Sequence, residues 1–230
     1  MTVLVSATDL LFERPGGFAL SVPSLAIEAG EAVAVLGASG TGKSTLLDLV
    51  GGVLRPTSGA LALFGHDVAQ LSNSALDRLR GDHVGVIFQE HNLLPFATVR
   101  QNVALGVQFS AARRRHLRAT ALEDEIERLL DAMDLDAAEL LRRPAHTLSV
   151  GQRQRVAAAR ALLGAPSLII ADEPTSALDE GNQTRFLALL QEARKASGAA
   201  LLFVTHDPRL TNGFDQVITL DTPSLEGKGL

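Results

Sequence analysis

The sequence predicts an α/β protein with a mainly parallel sheet and a helical insertion, on three observations. Short apolar runs alternate with helical patterns both early and late in the chain, while the stretch from Leu93 to Pro144 is helical in pattern. In addition, the apolar run Ala32 to Leu36 ends directly in a glycine-rich turn, and the segment after that turn reads as a helix.

In chain order, Leu20 to Ile27 and Ala32 to Leu36 read as strands, and Lys43 to Val50 as a helix following Gly37-Ala38-Ser39-Gly40-Thr41-Gly42. From Ala119 to Met133, apolar residues at Leu122, Ile126, Leu129, Leu130 and Met133 fall on one helical face. After Ser149 the pattern is a helix from Gln152 to Leu163, a strand from Leu168 to Ala171, a helix near Asn182 to Ala196 and a strand from Ala200 to Thr205. Internal repeats and low-complexity tracts are absent from the sequence.

With 230 residues and 46% hydrophobic content, the chain can bury one substantial core, or two closely joined subdomains. The formal charge of -5 argues against nucleic acid as a partner. Having no cysteine, the chain cannot use disulfides or thiolate metal sites. The N-terminal residues lack a basic region followed by an apolar core, and no apolar run approaches about 18 residues. A cytoplasmic location is therefore expected, with any membrane connection made through another protein.

Gly37-Ala38-Ser39-Gly40-Thr41-Gly42-Lys43-Ser44 fits the pattern G-x-x-x-x-G-K-[ST], between a strand and a helix. Glycines let successive backbone N–H groups face a phosphate, and the following helix turns its positive end toward the same anion. Lys43 is then expected on the terminal phosphates and Ser44 on magnesium. The strand Leu168 to Ala171 runs into Asp172 and Glu173 at a sheet's carboxyl edge, where ligands bind. Asp172 suits the magnesium shell, and Glu173 suits the orientation and deprotonation of an attacking water. Taken alone, such a carboxylate pair also fits helix capping or solvation.

A phosphate loop and an acidic strand end also serve kinases and G proteins, and other stretches separate these classes. Leu148-Ser149-Val150-Gly151-Gln152-Arg153-Gln154-Arg155-Val156 resembles the signature of ABC-type ATPases, and Ser176-Ala177-Leu178-Asp179 resembles their D-loop. Gln89, within Val86-Ile87-Phe88-Gln89, resembles their Q-loop, and His206, within Val204-Thr205-His206-Asp207, their switch histidine. The resemblance covers essentially the whole chain. The stretches from Val86 to Pro95 and from Asp172 to Asp179 look most like the lipoprotein-releasing and macrolide-exporting group.

This resemblance implies the P-loop NTPase ABC-ATPase fold: a RecA-like core over about 1–90 and 150–230, an antiparallel β region, and a helical subdomain over about 91–149. It implies an ATP-binding subunit of an ABC transporter, using ATP and Mg2+ on the cytoplasmic face of the membrane. The partners implied are an integral membrane permease and a second ATP-binding subunit, identical or paired. Each ATP would lie between Gly37 to Thr45 of one subunit and Ser149, Gly151 and Gln152 of the other. Gln89 would join Ser44 and Asp172 at the metal, Asp179 would lie at the nucleotide, and His206 would contact the terminal phosphate beside Glu173. Phe12 is a candidate for stacking on adenine, with core packing of Phe12 or stacking by Phe18 as alternatives. A soluble or regulatory ABC ATPase not coupled to transport is the alternative function.

One position departs from the family pattern. Val150 occupies the first glycine of the usual Leu-Ser-Gly-Gly-Gln, and a β-branched residue disfavours positive φ. The basic run from Arg113 to Arg118 reads as a solvated helix face, or as a contact for lipid headgroups near the partner.

Overall fold

The computed structural model describes residues 2–117 and 121–220. Arg118 and the first two residues of the helix expected from Ala119 lie outside them.

Two sheets organise the chain. β1 (Val3–Arg14) and β2 (Phe18–Glu28) form a hairpin, and β4 (Ser58–Leu63) and β5 (His66–Asp67) extend it into an antiparallel sheet of order β2-β1-β4-β5. β3 (Ala32–Leu36), β6 (Val84–Ile87), β7 (Leu168–Asp172), β8 (Ala200–Thr205) and β9 (Gln216–Thr219) form a parallel sheet of order β6-β7-β8-β3-β9. The strands expected at 20–27, 32–36, 168–171 and 200–205 are all present.

The central strands are apolar without interruption because both faces of the parallel sheet are covered. Successive side chains point to opposite faces, so Leu168 and Ile170 of β7 and Leu202 and Val204 of β8 enter one core. That core also holds the antiparallel sheet and α1 (Lys43–Val50). Ile169, Ala171, Leu201 and Phe203 enter the other core, shared with the helices that follow β6.

Those helices are α3 (Val99–Gln108), α4 (Ala111–His116), α5 (Leu122–Ala132) and α6 (Ala137–Leu140); α2 (Asn73–His83) precedes β6. Ile126, Leu129, Leu130 and Met133 are buried along the face expected from their spacing. The inserted segment begins and ends at one place: the amides of Ala145 and His146 donate to the carbonyls of Ala97 and Pro95, each at 3.0 Å. α7 (Val150–Leu162) and α8 (Glu180–Ser197) then return the chain to the sheet.

Arg113 corrects the reading of the basic run as a solvated face. It is 4% exposed and donates to the carbonyls of Val84 at 3.1 Å and Ala161 at 2.8 Å, with Nε donating to Leu163 at 3.1 Å. The last carbonyls of a helix have no partner within it, and here a guanidinium satisfies those at the end of α7. Burial draws the Arg113 guanidinium down to about 10.

Gly106 lets α3 lie against the backbone of α7, because a Cβ there would stand 2.2 Å from the Arg160 carbonyl oxygen. Gly106→Ala is expected to destabilise the fold by about 2 kcal/mol, the scale of core overpacking, as measured by urea unfolding.

Candidate functional site

β3 ends at Leu36, and the chain turns through Gly37 to Gly42 into α1. Gly42, the residue before α1, has φ +97°, a left-handed geometry that favours glycine. A Cβ there would also stand 3.0 Å from Phe18 Cζ and 3.2 Å from Leu20 Cδ1. Thr41 steadies the turn, its hydroxyl donating to the Ala38 carbonyl at 3.0 Å.

Lys43 opens α1 with a buried side chain. Its ammonium donates to the carbonyls of Gly37 at 2.9 Å and Ala38 at 2.8 Å, and stands 3.3 Å from Glu173 Oε1. The other oxygen of Glu173 is 3.1 Å from His206 Nδ1. One carboxylate thus lies between a lysine from the loop and a histidine from the end of β8. Glu173 has φ +40°, in the left-handed region that costs an ordinary residue about 1–2 kcal/mol. Its amide donates to the Val204 carbonyl at 3.1 Å, which ties this turn to β8.

Beside this cluster, Ser44 Oγ donates to Asp172 Oδ2 at 3.1 Å. Burial raises the Asp172 carboxyl above the usual carboxylate range; the Ser44 hydrogen bond opposes that shift, and the negative charges of Glu173 and Asp48 add to it. A cavity of about 420 Å3 opens here, lined by Phe18, Ser39, Gly40, Gly42, Lys43, Ser44, Thr45, Gln89, Asp172 and Glu173. The loop, the acidic pair and Gln89 are therefore brought together, with His206 attached through Glu173.

Other expected residues lie elsewhere. Phe12 lines a separate cavity with Val53, Leu54 and Arg55, and the Arg14 guanidinium lies 5.7 Å from its ring centre. The aromatic ring at the loop is Phe18, because the turn end of the β1–β2 hairpin reaches Gly42. Of the two aromatics weighed from the sequence, the structure puts Phe18 at the cavity and Phe12 away from it.

Ser149, Gly151 and Gln152 are not among the residues lining the cavity. Ser149 caps α7, accepting from the Gln152 amide at 3.2 Å, while the Gln152 side chain accepts from the Ser149 amide at 2.9 Å. Val150 is the first residue of α7 and is absent from the positive-φ positions, so its β-branched side chain carries no left-handed strain. Asp179 caps α8, and hydrogen bonds from Asn182 hold its carboxyl below the usual range.

Asp172→Asn tests the electrostatics of this site. Because burial raises the folded-state pKa of Asp172, the folded protein binds this proton more tightly than the unfolded chain, and stability from this group falls as pH rises through that value. The nucleotide-free variant is expected to melt higher than the parent at pH 8, with the difference shrinking toward pH 4. A lower melting temperature at pH 8 would contradict this.

The family model described as ABC transporter matches residues 20–176. The lipoprotein-releasing system ATP-binding protein LolD of Anaeromyxobacter dehalogenans is 45% identical over 196 residues, covering 85% of this chain and 80% of LolD. The macrolide export ATP-binding/permease protein MacB of Shigella flexneri is 40% identical over 96% of this chain, which spans only 33% of MacB. Among solved structures, the dimeric post-hydrolysis state of the ATP-binding cassette MJ0796 bound to ADP and Pi superposes with a TM-score of 0.79 at 30% identity, covering 95% of each chain. CbiO1 of Clostridium perfringens, part of the ABC transporter complex cbiONQ, gives a TM-score of 0.81 at 28% identity, covering 96% of this chain and 86% of that one. With a phosphate loop, an adjoining acidic pair and these relatives, the chain belongs to the ABC transporter family, as one of its ATP-binding subunits.

Proposed function

We propose that the chain hydrolyses ATP at a site completed by a second ATP-binding subunit, and that closure and reopening of the pair drive a membrane permease from its cytoplasmic face. The observation that carries this reading is Glu173, which lines the loop cavity with its carboxylate between Lys43 and His206.

In this reading, the backbone from Gly37 to Thr45 cradles the phosphates, and Lys43 exchanges its loop carbonyls and Glu173 for the terminal phosphates. Phe18 offers its ring to the base. Glu173 orients a water toward the γ-phosphorus and takes its proton as the bond to the ADP oxygen breaks. His206 contacts the γ-phosphate and holds Glu173. The N–H groups at the start of α7, including that of Gly151, approach the phosphate of the facing subunit, with Ser149, Gln152 and Asp179 at the same junction.

The donors also fit magnesium. Ser44 and Asp172 already present oxygens to one another, and Gln89 lines the same cavity, so one carboxylate, one hydroxyl and one amide leave room for phosphate oxygens and water. Among the described residues, no group of three or more His, Cys, Asp or Glu could form an all-protein metal cage. Bound there, magnesium supplies neutralisation of the charge on the β- and γ-phosphates.

The membrane partner follows the LolD relatives: MacB joins ATP-binding and permease parts in its name, whereas LolD is named as an ATP-binding protein. Among the described residues, no helix is long and apolar enough to cross a membrane. The helical segment over about 91–149 is then a subdomain that moves with the signature helix.

The test is Glu173→Gln. ATP turnover is expected to fall by at least about a hundredfold, while ATP-dependent dimerisation, followed by sedimentation, persists. Turnover equal to that of the parent would sink the assignment of the base. Chelation of magnesium is expected to abolish turnover in the parent.

A further inference from the structure

Asp134 closes the turn after α5 with φ +55°, a left-handed geometry that glycine adopts more readily than aspartate. Its side chain reaches two other helices. Oδ2 accepts from Arg155 Nη1 of α7 at 3.1 Å and also from Arg185 Nη2 of α8. Arg155 Nη1 donates to the Asp134 carbonyl at 2.9 Å, and its Nε donates to the Gly151 carbonyl at 3.3 Å. A single carboxylate oxygen thus joins Arg155, which lies in the second turn of α7 and donates back to Gly151 in its first, to α8, which Asp179 caps.

We propose that Asp134 is a positioning residue for the composite site, holding the start of α7 in register with α8 so that Gly151 and Asp179 meet the facing subunit together. The inference rests on the composite-site reading and adds to it a named link between the helical segment and the core. Three features support a positioning role over simple surface pairing. The carboxylate is shared by two helices, and the Arg155 guanidinium is also held by backbone carbonyls through its Nε and its Nη1. The turn keeps an aspartate where glycine would be less strained. Nothing in this bridge lines the loop cavity, so its loss should leave nucleotide capture by one subunit intact.

Asp134→Gly deletes the carboxylate while preserving the left-handed turn and the backbone carbonyl that Arg155 uses. In a Glu173→Gln background, ATP-dependent dimerisation is measured by analytical ultracentrifugation, and ADP affinity by calorimetry. The variant is expected to raise the dimer dissociation constant about fivefold with ADP affinity unchanged. Arg185→Ala, an exposed substitution, is expected to weaken dimerisation in the same direction, and the double variant Asp134→Gly/Arg185→Ala to be no weaker than Asp134→Gly alone. Dimerisation equal to the parent in both single variants overturns the proposal, as does a parallel loss of ADP affinity. If Glu173→Gln alone fails to dimerise with ATP, the composite site itself is wrong and the positioning role falls with it; dimerisation that fails only in the Asp134 and Arg185 variants leaves the composite site standing.

Discussion

The parallel pairing of β8 between β3 and β7 is the constraint on which the site depends. Leu36 pairs with Thr205 and Asp172 with Val204, so three strands end at one edge of the sheet. Gly37, Glu173 and His206 are the residues immediately after those ends. Ser44 and Asp172, 128 residues apart in sequence, therefore meet without any special fold of their own. The left-handed turn at Glu173 costs local free energy, and the hydrogen bond from its amide N–H to the Val204 carbonyl helps the flanking strands hold it.

The edge is useful because each strand end contributes a different chemistry. β3 leads into backbone N–H groups and a helix start, β7 into two carboxylates, and β8 into an imidazole. Asp172 is buried enough for its ionised form to be disfavoured, while its neighbour Glu173 faces two basic groups. Two adjacent carboxylates thus have different environments, and different environments permit different roles.

The other half of the chain presents a different surface. Ser149 and Gly151 begin α7 away from the cavity, and the Asp134 bridge connects that helix to α8. In the proposed composite site, a second copy or a related chain brings the phosphate loop of one subunit to the start of α7 of the other.

Much of this was determined by local sequence. The glycine pattern around Lys43, the apolar runs of β3, β7 and β8, and the capping pairs Thr98–Gln101 and Ser149–Gln152 are short-range signals whose physics is complete within a few residues. The motif order also located the nucleotide chemistry and the family. Tertiary structure alone decided matters that depend on which segments lie side by side. Arg113 reads as one member of an exposed basic run until the C-terminal carbonyls of α7, some 50 residues on, appear against it. Phe12 and Phe18 are equivalent aromatics in sequence, and only the hairpin's approach to Gly42 selects Phe18 for the cavity. Asp134 is an ordinary turn residue until α7 and α8 bring two arginines to one of its oxygens. In each case the deciding partner is distant in sequence, and only packing puts it within hydrogen-bonding or van der Waals reach.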